Sequence, residues 1–323
     1  MRHLVTGGTG LVGNRVVERL LARGDTVRAL VLEPEAVVPL RGRGVDARSG
    51  DLGGTTDLTA AAEGVDTVIH CAGVVQASAR RESLWAVNVE GTRRLLAAVA
   101  RVGGPRFVYV SSVGVYGHAP PPVAEDAPKQ PVGAYAESKW AAEQAVWRYH
   151  AEKRLRAVAV RPCPIYGPED RRITVAISRL GRLRVLPLPR NGRRLVALVY
   201  VSDVADAVVA AATVPEAVGN AYNITDGGSH TYRDVLAAYG RITGRRTAIL
   251  PVPGRAAVLA LQLLMLRQAR GRPGDWAAQI ERVRAVDRDV GYSIEAASRD
   301  LGYRPQVGLL EGLGRTFGSA RSR

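Results

Sequence analysis

Three side chains in this sequence have the types and spacing to pass a proton among themselves. Tyr135 and Lys139, in AYAESKWAAEQAV, lie four residues apart, so on a helix they share a face with the lysine one turn beyond the phenol. A phenol with an ordinary pKa near ~10 is a poor base at neutral pH, but a fixed ammonium beside it favours the phenolate. Upstream, Ser112 in RFVYVSS offers a hydroxyl to the oxygen of a reacting carbinol or carbonyl. Only Lys129, Lys139 and Lys153 are lysines in a chain rich in arginine, so a lysine at this spacing is informative. Alone, such a pair is a helix surface contact; the elements around it decide whether it is a site.

Those elements alternate between strand and helix. Residues 2–6 predict a short strand running into TGGTGLVG, and Val12, Val16, Val17, Leu20 and Leu21 predict an amphipathic helix stopped by Gly24. In that setting Gly7 allows a tight turn, Gly10 the approach of a pyrophosphate, and Gly13 close packing of helix on strand. The helix N-terminus offers free N–H groups to the phosphates. A lone GxxGxxG is a weak signal, but the flanking strand and helix are the context a dinucleotide site requires.

TVRALVL (26–32) predicts a second strand whose tip, Val31, Leu32 and then Glu33, meets the adenosine ribose. Glu33 leans the choice weakly to NAD, Arg41 and Arg43 keep NADP open, and a solvent-facing Glu33 is the plain alternative. A third strand near Val45 ends at Gly50-Asp51-Leu52, which sets Asp51 beside an adenine amine and Leu52 against its ring, or leaves Asp51 as a turn carboxylate. VDTVIHCAG (65–73) predicts a buried strand finishing in small residues. A helix over 82–102 and the strand RFVYVSS (106–112) follow. The pattern is that of an α/β chain with a Rossmann-type doubly wound parallel sheet.

Composition bounds the rest. The 323 residues are 46% apolar and 23% charged, an ordinary globular balance. The net charge of +15 comes from 45 basic against 30 acidic residues. It is dispersed along the chain without aromatic interleaving, which favours a solvated surface over a nucleic-acid partner. Cys71 and Cys163 form no CxxC, and His3, His70, His118, His150 and His230 form no close metal-ligand pair, so no metal site is expected. Met1 leads directly into an apolar run without a charged leader, which predicts a cytoplasmic protein.

The motifs, in their order, resemble those of an extended short-chain dehydrogenase/reductase of the NAD-dependent epimerase/dehydratase superfamily. They are TGGTGLVG (6–13), Asp51-Leu52, HCAG (70–73), NVEGT (88–92), VSSVGVYG (110–117), YAESK (135–139), RPCPIYGP (161–168), VYVSDVADA (199–207), AYNITDG (221–227) and LGYRP (301–305). The resemblance covers essentially the whole chain. It implies Ser112 (and not Ser111), Tyr135 and Lys139 as catalytic residues, with Asn88 supporting them. It implies a cofactor held by Gly7, Thr9, Gly10, Leu11, Val12, Gly13, Leu32, Asp51, Leu52, Cys71, Ala72, Gly73, Tyr135, Lys139, Pro162 and Ile165. Substrate contacts fall on Val74, Gln76, Val113, His118 and Tyr166.

The same resemblance divides the chain into a dinucleotide-binding domain, 1–168 plus 197–227, and a smaller C-terminal substrate lobe, 169–196 plus 228–323. It also implies a homodimer through helices near 82–102 and 134–152, where Trp85, Trp140 and Trp147 belong either to the interface or to the core. The reaction it implies is hydride exchange with nicotinamide while Tyr135 exchanges the proton.

Departures from the family pattern narrow the reaction. Val113-Gly114 stand where dehydratases carry acids, and Val196, flanked by Arg193 and Arg194, stands where many nucleotide-sugar enzymes grip a diphosphate with arginine. Both favour an NAD(P)-dependent alcohol dehydrogenase or ketone reductase, nearest the 3β-hydroxysteroid dehydrogenase-like and dihydroflavonol reductase-like members. Its substrate would be a mostly apolar small molecule, steroid-, polyketide- or flavonoid-like. The alternative is a UDP-sugar 4-epimerase using the same site. The run AAVLALQLLML (256–266) is too short to cross a bilayer. It reads first as a lobe core helix, with a lid or peripheral membrane contact as alternatives.

Overall fold

The computed structural model describes residues 1–75, 79–256, 259, 263 and 286–318. Gln76 and most of 256–266 lie outside the described residues, and with them the reading of that run as a core helix, a lid or a membrane contact.

Seven parallel strands form the central sheet: β1 (Arg2–Thr6), β2 (Thr26–Val31), β3 (Asp46–Ser49), β4 (Thr67–His70), β5 (Arg106–Val110), β6 (Arg156–Pro162) and β7 (Ala221–Ile224), in the order β7-β6-β5-β4-β1-β2-β3. Parallel strands covered by helices on both faces read as near-continuous apolar runs, and every residue of β4 and β5 is buried. Successive residues point to opposite faces. Leu4, Val68, Phe107 and Ala157 therefore enter one core layer, and their neighbours Val5, Ile69, Val108 and Val158 enter the other. The fold is the Rossmann-like α/β architecture that the alternating pattern predicts.

From β1 the chain builds outward to β2 and β3, and from β4 it builds the other way. The reversal leaves a crevice at the C-terminal ends of β1 and β4, where ligands of such sheets bind. Two further elements reach it. The helix predicted over 82–102 is one continuous helix, α2, in three geometries: α over Arg81–Leu84, π over Trp85–Gly91, and α over Thr92–Arg101. The π turn carries Asn88. Helix α3 (Ala134–Ala151) carries Tyr135 in its first turn and Lys139 one turn later.

Among the described residues beyond β6 there are three two-stranded pairings. Ile165–Tyr166 is parallel to Val199–Tyr200, Leu195–Val196 antiparallel to His230–Thr231, and Val185–Leu188 parallel to Ala248–Pro251. Helix α4 (Ile173–Gly181) lies in this part of the chain, and helix α5 (Val201–Thr213) packs on α1 (Leu11–Ala22). No described helix is long and apolar enough to cross a membrane.

Candidate active site

The turn after β1 is built for close approach. Gly7 has φ +69°, and a Cβ there would lie 2.8 Å from the Ala72 backbone, so the β1 and β4 loops touch across the crevice. A Cβ on Gly13 would lie 2.1 Å from the Gly7 carbonyl oxygen. Helix α1 thus rests directly on the turn, with no cap side chain closing its first N–H groups. A cradle that a methyl would fill, at a helix N-terminus, fits a dinucleotide pyrophosphate.

At the β2 tip Leu32 is 62% exposed. Glu33 is exposed, as the plain alternative had it, and accepts a hydrogen bond from the Thr9 hydroxyl at 3.2 Å, so a carboxylate stands at the end of β2 beside the glycine turn. The two arginines that kept NADP open are spent elsewhere: Arg41 on the Ala47 carbonyl, Arg43 on Asn14 and Glu18. The residues present fit NAD, which supplies the hydride acceptor when bound. Asp51 does form a turn, its carboxylate accepting the Gly53 amide at 2.9 Å. Leu52 is buried beside Leu4 and Leu30, and its carbonyl accepts from Arg94.

Ser112 lies two residues beyond β5 and caps the short 3₁₀ turn Val113–Tyr116, its Oγ accepting the Gly114 amide at 3.1 Å. The same side chain favours the ionised form of the Tyr135 phenol. Lys139 is 6% exposed. Its Nζ donates to the Val110 carbonyl at 2.6 Å and lies 4.2 Å from the Tyr109 ring centroid. Burial pulls this ammonium down to about 8, against the opposing pull of Glu143 and Cys71. Burial likewise pushes the Tyr135 phenol above its ordinary value, opposed by the Arg172 guanidinium and by the Ser112 hydroxyl. Lys139 stands one turn beyond Tyr135 on α3, with its Nζ tied to the end of β5; the Arg172 guanidinium, which precedes α4, is a second positive charge that favours the phenolate. Arg172 had a weak sequence signal, one of two arginines closing the YGPED turn.

Asn88 acts through its side chain. Its Oδ1 accepts the Val74 amide at 2.7 Å, and its Nδ2 donates to the Val74 carbonyl and the Ser138 hydroxyl, each at 3.0 Å. Ser138 donates in turn to the Tyr135 carbonyl at 2.8 Å. One amide thereby ties the loop after β4 to the first turn of α3. Sequence reading missed Ser138. It also missed the pair behind α3, where Arg161 of β6 holds both oxygens of Glu143 at 2.5–3.3 Å and donates to the Tyr116 hydroxyl at 2.6 Å. Residues separated by 18 and 45 positions give no local signal.

The expected cofactor residues Cys71, Ala72 and Gly73 follow β4 at the crevice, Leu11 and Val12 open α1, and Pro162 and Ile165 flank the turn leaving β6. Of the expected substrate contacts, Val74 stands beside Asn88, and His118 is exposed and met by Arg288. Tyr166 does not fit its expected role: it is fully buried, edge-on to Tyr200 with ring centroids 5.5 Å apart. Val113 is buried as well. Each falls on the inward side of its short element and fills core. Cys71 and Cys163 are both free thiols.

A dinucleotide cradle at the sheet's reversal point, with a Ser–Tyr–Lys set at its edge, defines an NAD-dependent oxidoreductase of the extended short-chain dehydrogenase/reductase type. The model of the NAD-dependent epimerase/dehydratase family matches residues 3–225, and the chain belongs to that family. It is similar to a 2-alkyl-3-oxoalkanoate reductase of Stenotrophomonas maltophilia, 32% identical over 99% of both chains. It is also similar to the 4-hydroxy-2-methyl-3-oxo-4-farnesyl-3,4-dihydroquinoline-1-oxide ketoreductase of Stigmatella aurantiaca, 29% identical over 97% of this chain and 95% of the other. Among solved structures it resembles MoeE5 in complex with UDP-glucose and NAD, with a TM-score of 0.78 and 26% identity over 100% of this chain and 99% of that one.

Proposed function

We propose that the protein interconverts a secondary alcohol and a ketone on a mostly apolar small molecule, using NAD, with Ser112, Tyr135 and Lys139 at the reacting oxygen. Ser112 hydrogen-bonds that oxygen, Tyr135 exchanges its proton, and Lys139 fixes the floor of the site from Val110. The observation that carries this reading against a nucleotide-sugar epimerase is the state of Arg194. Its guanidinium is neutralised by Asp289 at 2.7 Å and Asp287 at 3.4 Å. Val196, two residues on, carries no charge and pairs through its strand with His230, so at Arg194 a diphosphate would meet two carboxylates beside the guanidinium. Val113, which is buried, and Gly114 supply no acid for elimination. The two curated relatives support the reading: both are named for the reduction of oxo groups on molecules with alkyl or farnesyl chains.

The test is NADH consumption with 3-oxoalkanoates, ketosteroids and UDP-sugars, read at 340 nm. Net turnover on the apolar ketones is expected. Conversion of UDP-glucose without net cofactor change would establish the epimerase instead. As part of the same proposal the protein is a homodimer packed through α2 and α3, to be checked by light scattering; a monomeric mass would remove that element.

A further inference from the structure

His70 is a titratable side chain at the site that the chemistry above does not use. It ends β4, is 1% exposed, and lies between the rings of Phe107 and Tyr109 at centroid distances of 5.9 and 5.7 Å. Its Nδ1 is 2.7 Å from the Thr6 hydroxyl and its Nε2 is 2.9 Å from the Thr92 hydroxyl.

The neighbours fix every proton. The Thr92 hydroxyl donates to the Asn88 carbonyl at 2.6 Å. A hydroxyl has one proton, so toward His70 Thr92 can only accept, and Nε2 must carry a hydrogen. A neutral imidazole then has a bare Nδ1, which takes the Thr6 proton, and Thr6 in turn accepts the Ala72 amide at 3.3 Å. The chain runs one way: Ala72 N–H to Thr6, Thr6 to His70 Nδ1, His70 Nε2–H to Thr92, Thr92 to the Asn88 carbonyl. A protonated imidazole would donate at Nδ1 as well, so the Thr6 hydroxyl would accept from two sides and its own proton would lose the His70 acceptor. Burial and the nearby Lys139 charge hold the ring neutral, with its pKa at about 3.

The two ends of this chain are the two halves of the site. Thr6 and Ala72 flank the dinucleotide turn, and Asn88 holds Val74 and, through Ser138, the start of α3. We propose that His70 is a positioning residue which, locked as the Nε2–H tautomer, ties the dinucleotide turn to the π turn of α2 and so sets the cofactor loop and the proton-exchange residues in register.

Two shape-related variants separate the halves. An asparagine amide reaches only the δ position, so His70→Asn keeps the Thr6 partner and drops Thr92. A glutamine amide reaches the ε position, so His70→Gln keeps Thr92 and drops Thr6. Titration with NAD alone should show His70→Gln weakened by about tenfold, the value of one buried hydrogen bond, and His70→Asn within about threefold of the parent. Hydrogen–deuterium exchange should show the reverse: faster exchange over 85–91 and at the Val74 amide in His70→Asn, and little change there in His70→Gln. The nitrogen-15 spectrum of the parent protein should report a protonated Nε2 and a bare Nδ1, unchanged on acidification from pH 8 to about pH 5. Equal losses in both variants with equal falls in melting temperature would reduce His70 to core filling and overturn the proposal. A protonated Nδ1, or an imidazole titrating near ~6.5, would overturn it even if neither variant folds.

Discussion

Gly13→Ala is the sharpest perturbation of the cofactor cradle, because the obstacle it creates is backbone. The added methyl would stand 2.1 Å from the Gly7 carbonyl oxygen and 2.8 Å from its carbon, where ordinary contact begins at 3.4 Å. Helix α1 or the turn must therefore yield by about 1.3 Å, a scale at which misplacement costs on the order of 100-fold in a positioned site. Neither can move freely, since Gly7 is itself pressed against Ala72 and α1 against α5. Overpacking of this kind costs about 1–3 kcal/mol, a fall of roughly 1.5–4.5 °C in melting temperature for a chain of this size.

Gly10→Ala is the control. Its methyl would meet only the Gly7 oxygen, at 3.2 Å, which a shift of tenths of an ångström relieves, yet it stands where the pyrophosphate must approach. Calorimetric melting and NAD titration of both variants should give weakened NAD binding in each, with a lowered melting temperature only in Gly13→Ala. A Gly13→Ala protein with parental melting temperature and NAD affinity within about twofold would refute the geometry of the turn.

Tyr135→Phe should lower turnover by about 10²–10⁴-fold, the usual worth of a positioned acid–base group, while NAD binding stays near the parental value; undiminished turnover sinks the proton-exchange scheme. Arg172→Gln removes the cation that opposes the rise of the Tyr135 phenol, so the phenol titrates higher and the acid limb of the alcohol-oxidation profile moves to higher pH. An unmoved limb would mean that Arg172 does not act on the phenol. Glu143→Gln leaves the Arg161 guanidinium buried without its counter-charge, and breaking one side of such a pair costs about 3–5 kcal/mol; chemical denaturation with an unchanged midpoint would show the pair to be dispensable. His70 and His3 are both held below the ordinary histidine value by burial. Below about pH 6.5 the unfolded chain therefore binds protons that the folded chain refuses, and stability is lost as pH falls toward about 3. Stability measured against pH should fall over that window, less steeply in His70→Gln; a flat profile contradicts the burial.

The sequence by itself determined the sheet and singled out the groups proposed to react. Strand and helix periods, the glycines at 7, 10 and 13, and the four-residue step from Tyr135 to Lys139 are local patterns, and local backbone geometry obeys them. It also carried Ser112, since a hydroxyl just past a buried strand falls at the sheet's C-terminal edge. Tertiary structure alone decided what those groups touch. It tied Glu33 to Thr9, spent Arg194 on Asp287 and Asp289, tied Lys139 to the end of β5, and put Tyr166 in the core. It also bent the helix at Asn88 into a π turn, so that one amide reaches both Val74 and Ser138. These outcomes depend on residues tens of positions apart meeting at a chosen distance, and on which side of a two-residue strand faces inward. A one-dimensional pattern holds no such distance, whereas packing against the sheet fixes it.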